Sequence, residues 1–102
     1  MIKAEQGDLL SIANIKHTVL VVSNNTFNES GSVMVCAVVR NAEPGPVHIK
    51  LQTPEVEGYA LCEQLKLIDL TARRFSKLGA VLHYDVLNVA DAVMSIFEYQ
   101  II

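Results

Sequence analysis

Residues 16–28, KHTVLVVSNNTFN, set His17 at one end of an apolar run and Asn24, Asn25 and Thr26 at the other. Histidine titrates near neutrality, with an unperturbed pKa of about 6.5, so His17 is a candidate for moving a proton. Asn24, Asn25 and Thr26 carry the groups that hydrogen-bond phosphates or base edges, although turn chemistry alone also accounts for them. Cationic side chains that can build a local basic face are Lys50, Lys66, Arg73, Arg74 and Lys77, with Lys16 and Arg40 elsewhere in the sequence. Cys36 and Cys62 lie in apolar stretches without CxxC spacing or a companion His pair. They read as buried free thiols rather than as a disulfide or a metal site.

The elements that must position these residues belong to a chain of 102 residues, which is the size of one domain. Hydrophobic residues make up 51% and charged residues 19%, which excludes a disordered chain. An apolar surplus in so small a domain points to a covered surface, and a homodimer is the commonest cover. The net charge of −3 argues against tight non-specific binding to a nucleic-acid duplex. No stretch has the ~18 to 20 apolar residues of a membrane span, and MIKAEQGD lacks the pattern of a signal peptide. The expectation is a cytosolic protein with no membrane association.

Punctuation divides the chain into short segments, most of which read as strands. LLSIA follows Gly7-Asp8 as a first strand, and HTVLVVS (17–23) lacks alternation, as a strand buried on both faces does. NNTFNESGS is a reversal. VMVCAVV (33–39) is a second apolar run, and RNAEPGP breaks the chain before the alternating VHIKL. TPEVEG is another turn, followed by YALCEQLKLID (59–69), a strand that continues past a bend. From Tyr84 on, Val86, Val89, Ala90, Val93, Ile96 and Phe97 recur at helical spacing opposite Asn88, Asp91, Ser95 and Glu98. Leu87 and Met94 widen that apolar stripe. The class is mainly β with one C-terminal α-helix, a small SH3-like partial barrel.

In this order the segments resemble the MazF/PemK family of bacterial toxins, whose fold the CcdB toxins share. The matching pieces are Gly7-Asp8, VLVVSN at 19–24, the apolar strand ending near Val39, CEQLKLID at 62–69 and the terminal helix. The resemblance implies a homodimeric toxin of a type II toxin–antitoxin pair, inhibited by a small acidic antitoxin. It also implies cleavage of single-stranded RNA without metal or cofactor, leaving a 2′,3′-cyclic phosphate. That chemistry needs a base for the 2′-hydroxyl proton, a donor or cation for the charge on phosphate, and an acid for the leaving oxygen.

The family's usual Arg and Thr positions fall on His17 and Val39, and its customary proline on Thr18. Two readings follow. His17 supplies acid–base chemistry and Arg40 the positive charge, in a rewired endoribonuclease. Alternatively, the fold keeps its partner-binding surface and has lost hydrolysis, as a CcdB-like module that binds DNA gyrase or as one that binds only antitoxin or nucleic acid. The ending IFEYQII is aromatic and apolar, which suits a gyrase-binding helix end, but it lacks the terminal Trp-Gly-Ile of CcdB-like toxins. Glu63 and Gln64 match the family's Glu-Gln or Asp-Gln pair; a carboxylate within a strand can hold a basic residue in place, a structural role that is set here against catalysis. Arg73 and Arg74 match its basic segment and are candidates for contact with the RNA backbone. The loop between the first two strands is reduced to Asn14-Ile15-Lys16.

Overall fold

The computed structural model describes residues 3–100. Its strands are β1 (Asp8–Ile12), β2 (Thr18–Val21), β3 (Ser32–Val39), β4 (His48–Lys50), β5 (Tyr59–Asp69) and β6 (Phe75–Ala80), and its helices are α1 (Asn25–Asn28) and α2 (His83–Ile96). The strands form one six-stranded sheet in the order β4-β5-β3-β2-β1-β6. Every pairing is antiparallel. Among the described residues β4 and β6 remain edges, so the sheet is not closed into a barrel.

The absence of alternation in β2 and β3 has the cause its sequence suggests. Leu20, Cys36 and Val38 face one side with Leu9, Ala60 and Cys62, and there α2 covers them with Val89 and Ala92. Val19, Val21, Val33 and Val35 face the other side with Leu10, Ile12 and Ile68, where the sheet builds a second cluster with Ile15 and Phe75. Burying such a side chain contributes about 1.5–3 kcal/mol, so central strands that supply both clusters hold the fold. Both cysteines are free and fully buried.

Three segments differ from the sequence reading. NNTFNESGS contains a helical turn rather than only a bend, because the Asn24 side chain caps α1 by accepting from the Phe27 amide. RFSKLGA carries β6, an edge strand that is exposed from Ser76 to Ala80 and so shows no apolar alternation. The inward face of α2 is rotated: Asp85, Val89 and Ala92 are buried, whereas Ile96 and Phe97 are exposed. Phe97 lies at the C-cap, beyond the last turn that the sheet reaches.

The buried Asp85 explains the rotation. Its carboxylate accepts from the Gln52 amide (2.8 Å), the Thr53 amide (2.8 Å) and the Thr53 hydroxyl (2.6 Å). The Thr53 hydroxyl in turn accepts from the amide of Leu82, whose own side chain cannot cap the helix. The acid therefore sits near the positive N-terminus of α2 with its lone pairs satisfied. Gly58 permits a neighbouring close approach, since a Cβ there would lie 2.7 Å from the Val39 carbonyl oxygen.

No helix among the described residues is long and apolar enough to cross a membrane. Of the apolar chain end, Ile101 and Ile102 lie outside the described residues.

Candidate functional site

The β1–β2 connection is short because Asn14 takes a left-handed conformation (φ 67°) and the Ile15 amide returns to the Ile12 carbonyl. Asparagine tolerates that region better than most residues. The turn delivers Lys16 and His17 to the mouth of β2, on the face opposite α2. There they join a concavity of about 200 Å³. Val19, Val35 and Ala37 form its floor, Asn14, Ile15, Lys16 and His17 one wall, and Gln64 and Lys66 of β5 the other.

Lys16, His17, Gln64 and Lys66 are all exposed. Among the described residues their side chains take no part in an ion pair. The two ammonium groups give this mouth a positive character in a chain whose net charge is −3. An apolar floor, two amide side chains and cations at the rim suit a base face and its adjoining phosphates.

Beside the concavity, Glu63 meets a basic residue that the sequence reading had not assigned to the site. His48 Nε2 lies 2.8 Å from one Glu63 carboxylate oxygen and 2.9 Å from the other, and His48 Nδ1 lies 2.6 Å from the Glu43 carbonyl oxygen. The Glu43 carbonyl chiefly raises the His48 pKa above its usual value; burial opposes it, and the Glu63 carboxylate adds a further upward effect. The signal was weak in sequence: a single His in VHIKL, 15 residues from its partner.

The other candidates are distributed. The β2–β3 register pairs Thr18 with Val38, which puts His17 and Arg40 at the same end of the sheet, but Arg40 does not line the concavity. Asn24 and Asn25 are occupied structurally: Asn24 caps α1, and the Asn25 side chain accepts from the Gln6 amide. Arg73 and Arg74 line a separate shallow depression with Ser11, Ala13, Phe75 and Ser76. That depression adjoins the Asn14 wall, because the Ala13 amide donates to the Arg74 carbonyl. Asp69 anchors the turn before these arginines by accepting from the Thr71 hydroxyl and amide, bonds that lower its carboxyl pKa.

Among the described residues no group of three or more His, Cys, Asp or Glu side chains is placed to hold a metal ion. Chemically, the arrangement offers two ammonium groups, two carboxamides and an imidazole over an apolar floor.

No curated protein matches the chain. The chain is similar to the crystal structure of MazE–MazF from Deinococcus radiodurans, with a TM-score of 0.83 and 22% identity, covering 95% of this chain and 98% of that one. It is also similar to an endoribonuclease from a mycobacterial species, with a TM-score of 0.82 and 17% identity over 95% and 93% of the two chains. A mycobacterial endoribonuclease in complex with its cognate antitoxin gives a TM-score of 0.74 and 17% identity over 92% and 94%. At such identities these likenesses establish the fold. The family model described as PemK-like, MazF-like toxin of type II toxin–antitoxin system matches residues 8–97, and the chain belongs to that family.

Proposed function

We propose that this family member is a metal-independent endoribonuclease acting on single-stranded RNA in the cytosol, with an active site altered around His17. The observation that carries the reading is the positive concavity in which His17, Lys16, Lys66 and Gln64 meet over an apolar floor. In the reaction, His17 takes the proton of a ribose 2′-hydroxyl and the 2′-oxygen attacks the adjacent phosphorus. The bond from phosphorus to the 5′-oxygen breaks and that oxygen takes a proton from water, giving a 2′,3′-cyclic phosphate and a 5′-hydroxyl, while the His17 imidazolium returns its proton to solvent. Lys16 and Lys66 stabilise the charge on the phosphate, a role that Arg40 serves only for a strand reaching the end of β3. Arg73 and Arg74 lie where such a strand continues past Asn14, and Asn24 and Asn25 serve at most through their free amide groups.

The similar structures that contain MazE or a cognate antitoxin support an antitoxin as partner. An acidic antitoxin segment would compete with RNA for the same cations. Exposed Leu87 and Met94 on α2 support a homodimer contact, which light scattering tests.

The purified protein is expected to cleave RNA in EDTA, with His17→Ala lowering the rate by about 100-fold or more. Intact RNA at high protein concentration, with the fold retained, would reject nuclease activity. A second reading, a CcdB-like module that binds DNA gyrase, is favoured by Phe97 and Tyr99, exposed by 71% and 89% at the end of the described chain. Growth arrest that a resistant gyrase relieves would select it.

A further inference from the structure

Directly paired residues on neighbouring strands share a sheet face. His48 pairs with Leu61, Leu61 with Ala37, and Ala37 with Val19. Since Ala37 and Val19 floor the concavity, His48 stands on the same face at the β4 edge.

Between these strands the ladder is interrupted. Cys36 pairs with Leu65 but Ala37 pairs with Leu61, leaving Cys62, Glu63 and Gln64 as a bulge in β5. Bulges re-aim side chains and recur beside active sites. Each bulged residue here has a separate attachment. The Cys62 amide donates to the Val47 carbonyl at 2.9 Å and its side chain is buried in the core. Glu63 is held by His48. Gln64 turns into the wall of the concavity.

We propose that the His48–Glu63 pair is a positioning clip that fixes the β5 bulge, so that Gln64 presents its amide to a base of the bound RNA strand and determines base preference. A carboxamide carries both a donor and an acceptor, as reading a base edge requires. His48 faces only acceptors, the Glu43 carbonyl on one nitrogen and the Glu63 carboxylate on the other. An imidazolium donates to both, whereas the neutral ring leaves one nitrogen lone pair against an oxygen. The titratable group facing it is Glu63 of β5, the buried Cys62 acts only as a weaker charge from the other face, and the β3–β4 connection contributes the Glu43 carbonyl. The clip therefore loosens as pH rises through the His48 pKa, which lies above the usual value.

The inference rests on the concavity being the RNA site, and the test separates the two claims. Nuclear magnetic resonance of the full chain follows the Gln64 side-chain amide and the backbone amides of 62–65 in wild type, His48→Ala and Glu63→Gln. Both variants are expected to shift these signals, and the wild-type signals are expected to titrate together with a midpoint above about 6.5. Unchanged signals in both folded variants would overturn the clip whether or not RNA binds. Affinity for fluorescent oligoribonucleotides that differ at a single base is then measured for Glu63→Gln, Gln64→Ala and the double variant, with both single substitutions expected to flatten the same base preference. Each single substitution is expected to weaken binding by about tenfold and the double by little more, because both remove one contact. Losses that multiply would overturn the clip, whereas a wild type that does not bind RNA would overturn the site.

Discussion

Two polar clusters on opposite faces of one sheet use their groups in opposite ways. Under α2, Asp85 is fully buried and satisfied by Gln52 and Thr53, while Thr53 also serves the amide of Leu82. On the other face, Lys16, His17, Gln64 and Lys66 ring an apolar floor and remain exposed. A satisfied buried cluster joins elements and has nothing left for a ligand. An exposed cluster over apolar side chains contributes little to folding and keeps its capacity for a ligand.

The contrast breaks most readily at Asp85. Asp85→Ala leaves the amides of Gln52 and Thr53 without their acceptor, and is expected to destabilise the fold by about 3 kcal/mol or more in urea unfolding. Gly58→Ala tests the close approach to Val39 on the same core and is expected to cost about 2 kcal/mol by the same measurement. On the open face, Lys66→Ala is expected to leave the melting temperature nearly unchanged. It should weaken single-stranded RNA binding several-fold and reduce the slope of log affinity against log salt by about 0.7. A large loss of stability in Lys66→Ala would erase the distinction between the clusters.

The smallest effect is a pH dependence. A histidine whose folded pKa is raised adds stability that is fully present below its unfolded value of about 6.5 and is lost as pH rises through the folded value. The stability difference between wild type and Glu63→Gln should therefore be larger at pH 5.5 than at pH 9. An equal difference at both would show that the His48 proton does not contribute.

Much of the fold was legible because burial on both faces leaves a mark in sequence. The apolar runs of β2 and β3, the eleven residues of β5 and the helical spacing after Tyr84 all correspond to observed elements. β6 was not legible, since an exposed edge strand needs no alternating pattern. Asp85 was hidden because its partners are more than 30 residues away in sequence. His17, Lys16 and Lys66 stood out by type, and only the β1–β2 turn and the β5 bulge bring them to one mouth. Arg40, beside the family's Thr position at Val39, and Arg73-Arg74, in its basic segment, are recognisable by their place in the chain, but that place does not say which of them reaches the concavity.

The proposed nuclease must bind RNA at the Lys16–Lys66 mouth, on the face opposite α2. Mapping backbone amide shifts as a non-cleavable single-stranded oligonucleotide is added tests this directly. The prediction is that perturbations centre on residues 14–19, 35–37 and 64–66 and extend toward Arg73 and Arg74. Perturbations confined to the outer surface of α2, around Tyr84, Leu87 and Met94, would contradict it.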